Sequence, residues 1–333
     1  MYTVILKIKE GELIALQQNE PAVNTRVILE ALQTPPGVRI QKQLHRVIAA
    51  AKEQASIGVD YHAQQSRHIE SFEQLLTTIP QEDRSKIAPV LHLGSGKNAF
   101  KSALAHADQH SEFFYLRAKV LTHHAQPAEQ AYDLIKSMGF EVDRVRLIVD
   151  FGDIEERDAY EDWFGEVGAR SVIHSPFADV SIAATSYPGS VSKYTTGWTK
   201  FSRHEMQVWQ ANALKNAPTL RFADYGCRST AFPPPPVKFP LPVLAQLRYT
   251  LGDEYLVFRG ALLKKDRNQH YRIGYDLVNR SEFFGADFSW GDLNLDFLAQ
   301  GQGGPRGRSQ MIAYETAHHV QATEALLAQR FGP

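Results

Sequence analysis

The first two-thirds of the chain alternate between two patterns. Short, nearly continuous apolar runs rich in β-branched residues are each followed by a stretch whose apolar residues recur every three to four positions. The runs at Tyr2–Ile8, Arg26–Leu32, Ile57–Tyr61, Ala88–Leu93, Phe113–Val120, Arg144–Phe151, Arg170–His174 and Thr219–Tyr225 predict eight strands. The intervening stretches predict helices over Gly11–Gln18, Gln41–Gln54, Arg67–Thr78, Asn98–Ala107, Pro127–Met138, Glu155–Val167 and around His204–Leu214. Pro127 suits a first helical turn, and Gly139 and Gly168 suit helix stops. Strands alternating with helices imply parallel pairing through βα crossovers, and eight such units imply a (β/α)8, TIM-barrel-like α/β fold. The alternative is an open doubly wound sheet. Its dinucleotide-binding form is weakened because no Gly-x-Gly-x-x-Gly follows the first strand.

After Tyr225 the alternation stops. FPPPPVKFPLP (Phe232–Pro242) cannot be helix or central strand and reads as an extended strap. LRYTLGDEYLVFRG predicts a hairpin turning at Gly252-Asp253, with helices over Tyr271–Arg280 and Ile312–Gln329 beyond it. The expected division is therefore a barrel core over residues 1–231, with residues 232–333 as an extension packed on it as one unit. Within that extension EFFGADFSWGD (Glu282–Asp292) fits neither period and is expected to cover one barrel end. Phe283, Phe284, Phe288 and Trp290 would be buried there, Gly285 and Gly291 would allow the sharp path, and Asp287 or Asp292 would face a ligand. The Gly-rich GQGGPRG is expected to contact an anion through Arg306 and Arg308.

Charge and cysteine content narrow the classes. A net charge of −1 gives no global pull toward phosphate, which argues against direct nucleic-acid binding. Cys227 is the single cysteine, so intramolecular disulfides and cysteine-rich zinc sites are excluded. No apolar run approaches the roughly 18 residues of a membrane helix, and MYTVILKIKE lacks a signal peptide's apolar segment. A soluble cytoplasmic protein is expected.

Barrel enzymes place their chemistry at the C-terminal ends of the strands. Here those ends carry Lys7, Glu30, Asp60 with His62, His92, Arg117 with Lys119, Asp150, His174, and Asp224 with Tyr225. Carboxylates gathered from several strands repel one another unless a metal, lysine or arginine stands between them. Such a mouth can hold a cation, a phosphate-bearing ligand, or an acid–base pair with shifted pKa values. Other motifs fail. LHLGSGKN has Leu91 where a P-loop needs glycine and Asn98 where it needs Ser or Thr, although its loop could still offer N–H groups to an anion. His123-His124 and His318-His319 lack the i, i+4 spacing of helical metal ligands and read as surface or capping histidines. No Gly-x-Ser-x-Gly elbow supports a serine hydrolase.

Ordered features along nearly the whole chain carry a family resemblance. They are YTVILKIKEGELIAL, VILE, RLIVDFGDI, FADYG, LRYT with YLVFRG, FFGADFSWGD, GQGGPRG and the His pair in TAHH. The sequence resembles the Beta protein family of bacteria and their phages. The resemblance implies a barrel-like α/β fold and a link to phage–host conflict, with no reaction attached. Geometry and resemblance together nominate Glu30, Asp60, Asp150 and Asp224 as metal ligands or acid–base groups. Lys7, Arg117, Arg248 and Arg259 would stabilise negative charge, and His92, Tyr225, Tyr249, Asp287, His318 and His319 complete the ligand set. The expected activity is a hydrolase or lyase acting on a phosphorylated or nucleotide-like substrate, with a divalent ion such as Mg²⁺ as a candidate cofactor. The alternative is a non-catalytic recognition subunit of a defence module that binds a protein or nucleic acid.

Overall fold

A computed structural model describes residues 2–19, 25–31, 38–51, 57–60, 76, 79–120, 126–154, 156–165, 175–216, 220–231, 243–266, 268–302 and 307–331. The predicted helix over Arg67–Thr78, apart from Leu76, lies outside these residues. So do His62, His174, the His123-His124 pair, the proline strap and Arg306. Contacts divide the chain into two compact units that are interleaved in sequence. The first comprises Met1–Ile8, Ala22–Ser186 and His204–Tyr225; the second comprises Lys9–Pro21, Tyr187–Arg203 and Gly226–Pro333.

The first unit is a closed barrel of eight strands. These are β1 (Tyr2–Lys7), β2 (Thr25–Glu30), β3 (Ile57–Asp60), β4 (Ile87–His92), β5 (Phe114–Lys119), β6 (Val145–Asp153), β7 (Val180–Thr185) and β9 (Leu220–Asp224). Every neighbouring pair runs parallel, and β9 pairs with both β7 and β1 to close the ring. Parallel strands are covered on both faces, which explains why they read as unbroken apolar runs. Described helices of this unit are α2 (Val38–Ala50), α3 (Lys97–His106), α4 (Pro127–Ser137), α5 (Arg157–Trp163) and α6 (His204–Asn216).

The barrel interior is filled in layers. Ile5, Ile28, Ala88, Val90, Tyr115, Ile148, Ala183 and Ala223 form the apolar middle. Gly58 makes room for the largest of these, because a Cβ there would stand 3.0 Å from the Tyr115 ring and 2.3 Å from Ile28. Toward the N-terminal ends, Arg26 and Arg221 both bond Asp179, and the Arg146 guanidinium lies over the Phe113 ring. Polar residues of the opposite, C-terminal ends form the remaining layer.

The predicted strand Arg170–His174 lies outside the described residues, and the barrel's seventh strand is Val180–Thr185. Its sequence, VSIAAT, is rich in small residues, so it lacks the bulky β-branched signature.

The second unit is built on an antiparallel sheet ordered β10-β11-β8, from β8 (Gly197–Ser202), β10 (Leu244–Leu251) and β11 (Glu254–Leu262). The hairpin turns at Gly252-Asp253 as expected, with Gly252 at φ +68°. β8 was not anticipated; it pairs only with β11, over fifty residues downstream. Helices α1 (Glu10–Gln18), α7 (Gln269–Val278), α8 (Trp290–Ala299) and α9 (Arg308–Phe331) complete the unit. Its core joins Leu247, Tyr249, Leu256, Ile273, Leu277, Leu295, Leu298 and Tyr314. Among the described residues no helix is long and apolar enough to cross a membrane.

Candidate functional site

Strand pleating places alternate residues on the same face. Near the C-terminal ends of β2, β3, β4, β5 and β6 an inward position is polar: Glu30, Asp60, His92, Arg117 and Asp150. Tyr225, just after β9, has the same parity and packs with the inner cluster. All six are buried, and they form one network around Arg117.

The Arg117 guanidinium reaches three carboxylates from three different strands. Nη1 donates to Glu30 Oε1 at 2.7 Å and to Asp60 Oδ2 at 2.8 Å, while Nε donates to Asp150 Oδ2 at 2.8 Å. Nη2 donates to the Tyr225 hydroxyl, which in turn donates to Asp150 Oδ1 at 2.6 Å. A β-bulge after Asp150 turns the Gly152 N–H back onto the same carboxylate at 2.9 Å, with Gly152 at φ +71°. His92 Nε2 stands 3.0 and 3.1 Å from the two Asp60 oxygens. Lys7 is paired in register with Glu30 on the neighbouring strand.

The shared arginine does not treat its carboxyls alike. Burial would push Asp60 up, but the charges and hydrogen bonds of His92 and Arg117 hold it well below the usual carboxylate range. Burial also opposes ionisation of Asp150, and Arg117 with the Tyr225 hydroxyl outweighs it, so that carboxyl too is lowered. Glu30 goes the other way. Burial raises it, and the charge of Asp60 adds to that, beyond what Arg117 and Lys7 recover. Its Oε2 is buried with no hydrogen-bond partner. Tyr225 is raised far above the ordinary phenol by burial and by the Asp150 and Glu30 charges.

The expected carboxylates thus converge, with one correction. Asp224 is fully buried but has the opposite parity to Tyr225, and its Oδ1 accepts from the Tyr2 hydroxyl at 2.7 Å. It does not join the Arg117 network. The space between Glu30, Asp60 and Asp150 is filled by a guanidinium, so these residues do not fit a Mg²⁺ site. Among the described residues no group of three or more His, Cys, Asp or Glu side chains is placed to hold a metal ion.

The C-terminal candidates belong to the second unit, where most have structural partners. His318 is fully buried and stacks on Tyr249 with ring centroids 3.7 Å apart. Its Nδ1 faces Asp292 Oδ2 at 2.8 Å, and its Nε2 faces the Thr250 carbonyl at 3.0 Å. The Tyr249 hydroxyl donates to Asp292 Oδ1 at 2.7 Å, and His319 Nδ1 meets Thr250 Oγ1 at 2.8 Å. Neither histidine lies at the surface; both belong to a buried core network. Arg259 donates to Thr196 at 3.1 Å, and Asp287 is exposed.

EFFGADFSWGD has a local role. Ser289 caps α8 by accepting from the Asp292 N–H, and Phe284 and Phe288 pack on His318. Glu315 and its partner Arg228 escaped the sequence reading. Glu315 is 1% exposed and binds both Arg228 and Arg248, at 2.9 and 2.8 Å. A carboxylate between the apolar residues Tyr314 and Ala317 of α9 was the only signal for it, and its partners lie 67 and 87 positions away.

No curated protein matches the chain. The model of the family described as Beta protein matches residues 2–323 of the 333, nearly the whole length. With a closed parallel barrel and this ordered match in hand, the chain belongs to the Beta protein family.

Proposed function

We propose that the C-terminal end of the barrel binds a small phosphorylated or nucleotide-like substrate and acts on it by general acid–base catalysis, as a hydrolase or lyase. One observation carries this reading: Glu30 and Asp60 share Arg117, yet one carboxyl is pushed up and the other held down. Environments that drive two carboxyls apart create an acid and a base within one site. Glu30, with Oε2 unpartnered, is the proton donor. Asp60 orients His92, whose ring is the base. Arg117 and Tyr225 fix the carboxylates rather than touch substrate. Lys7 and the exposed Lys119 supply positive charge toward a phosphate, and α3 begins beside His92 without a side-chain cap on its first N–H groups.

The test is turnover of a panel of phosphate monoesters, phosphorylated sugars and nucleotides, followed by phosphate release and chromatography. Wild type should consume at least one of them. Glu30→Gln and His92→Gln should each lower kcat about 10²- to 10⁴-fold while the circular dichroism spectrum stays unchanged. Turnover that survives both substitutions would reject the assignment, as would a panel that neither reacts nor shifts the melting midpoint.

A second reading is favoured by the second unit's surface. Tyr275, Phe284, Leu293 and Phe297 are large apolar residues left exposed on α7, α8 and the loop between them. A cavity of about 550 Å³ lined by Phe258, Tyr271 and Tyr275 adjoins α7. Such surfaces mark partner sites, and a protein-recognition role in a defence module would use them.

A further inference from the structure

The second unit holds another cavity, of about 190 Å³, whose lining includes Arg248, Arg308, Glu315, His270, Ser190 and Ser192. Its charge is unbalanced. Glu315 serves two guanidinium groups at once: Oε2 accepts from Arg228 at 2.9 Å and from Arg248 at 2.8 Å, and Oε1 accepts from the Arg248 backbone N–H at 3.2 Å. Arg248 is held in place by further bonds to the Tyr187 hydroxyl and to Gln246 Oε1, each 2.8 Å. An arginine has five N–H donors, so Arg248 keeps some in reserve. Arg308, the first residue of α9, makes no hydrogen bond or ion pair with any described residue. Arg308 is an exposed residue; partial desolvation and the nearby charges of Arg248 and Arg228 push it below the ordinary guanidinium range, and Glu315 and Glu12 offset this only in part.

Three arginines therefore stand around one carboxylate that already accepts three hydrogen bonds, and Glu12 adds a weaker pull on Arg308. We propose that this cavity binds the phosphate group of a small molecule, with the Arg308 fork on the phosphate oxygens and Arg248 and the Ser190 and Ser192 hydroxyls beside it. Guanidinium forks match phosphate oxygens in pairs, and a dianion answers the positive excess better than a single carboxylate. Size agrees: a water takes about 30 Å³ of liquid, so the cavity holds a phosphate and a short organic fragment, not a polymer. The site is separate from the acid–base residues of the barrel and does not rest on their role.

The experiment is isothermal titration of the full chain with inorganic phosphate, glycerol 3-phosphate and acetate at one ionic strength. It is run on wild type, Arg308→Ala, Arg308→Lys and Glu30→Gln. Saturable binding of one phosphate probe is expected, weakened at least tenfold by Arg308→Ala, less by Arg308→Lys, and not at all by Glu30→Gln. Because Arg308 bonds to nothing described, its variants should melt as wild type does without ligand. Glycerol 3-phosphate binding tighter than phosphate identifies an organic phosphate as occupant, and equal binding identifies the free ion; either supports the site. Absence of saturable binding, acetate binding as well as phosphate, or full affinity in Arg308→Ala would overturn it. Loss in Glu30→Gln alone would move the anion to the barrel.

Discussion

Among the described residues Arg117 is the cation that bonds all three of Glu30, Asp60 and Asp150, and its removal takes that shared charge from each of them. Breaking a buried ion pair by deleting one partner costs about 3–5 kcal/mol, because the remaining charge keeps its desolvation penalty. Arg117→Met should lose about that much in urea unfolding; a loss under about 1 kcal/mol would mean the carboxylates find other partners. The pH dependence has two opposite arms. Glu30 is raised when folded, so its contribution is complete below 4.5 and fades as pH climbs from there toward its folded value. Wild type should therefore lose stability relative to Glu30→Gln as pH rises above 4.5, read from paired melting curves. A constant difference across that range would contradict it. Asp60 and Asp150 are lowered, so they stabilise above 3.8 and stop doing so as pH falls below it. Much of this network could be read beforehand, because its members stand at the strand ends. Pleat parity separates Tyr225 from Asp224, and reading strand ends without parity groups Asp224 with residues whose Arg117 network it does not join. Which residue stands at the centre depends on how neighbouring strands are staggered, and no single strand's sequence contains that.

The helices of the second unit show what EFFGADFSWGD accomplishes. Its Gly291 lies where α8 meets α9, and a Cβ would come within 2.3 Å of the Tyr314 carbonyl oxygen and 3.0 Å of the His318 N–H nitrogen. Replacing an exposed helical glycine with alanine gains about 1 kcal/mol from propensity. Here the clash is with backbone, which cannot swing aside, and overpacking of this kind costs about 1–3 kcal/mol. Gly291→Ala should therefore destabilise, lowering the urea midpoint with an unchanged slope. A raised midpoint would show that the helices can part without penalty. The sequence revealed the glycines and aromatics but not their target, since Tyr249 and His318 are 42 and 27 positions from Gly291 in a different element each. β8 was hidden for a related reason: GWTKFS is half-buried and among the described residues it pairs with β11 alone. Strand pairing across such a separation leaves no local period.

Parallel strands with crossover helices generate a rhythm that any reader of the chain can find, and this is why the barrel was legible. The second unit has no such rhythm, because it collects Lys9–Pro21, Tyr187–Arg203 and Gly226–Pro333. Helix α1 depends on the last of these. Gly11 abuts Ile312 so closely that a Cβ would lie 2.5 Å from its Cγ2, and Ala15 packs with Ala313 and Ala317. Glu10 also bonds Ser309 at 3.2 Å. Truncation after Gly307 should leave that face of α1 bare and send the protein into aggregates on size exclusion, although all barrel strands are retained. A monomeric truncated chain with a native spectrum would refute this dependence.

The same interleaving sets a timetable for synthesis. Helix α1 ends at Gln18, and its partner α9 ends at Phe331. At roughly 5–20 residues per second, α1 waits on the order of fifteen seconds to a minute with its apolar face uncovered. The barrel strands are all made by Asp224 in that interval, so the nascent chain carries an unfinished second unit throughout. A holdase chaperone would find its binding site on α1, and release would coincide with the arrival of α9.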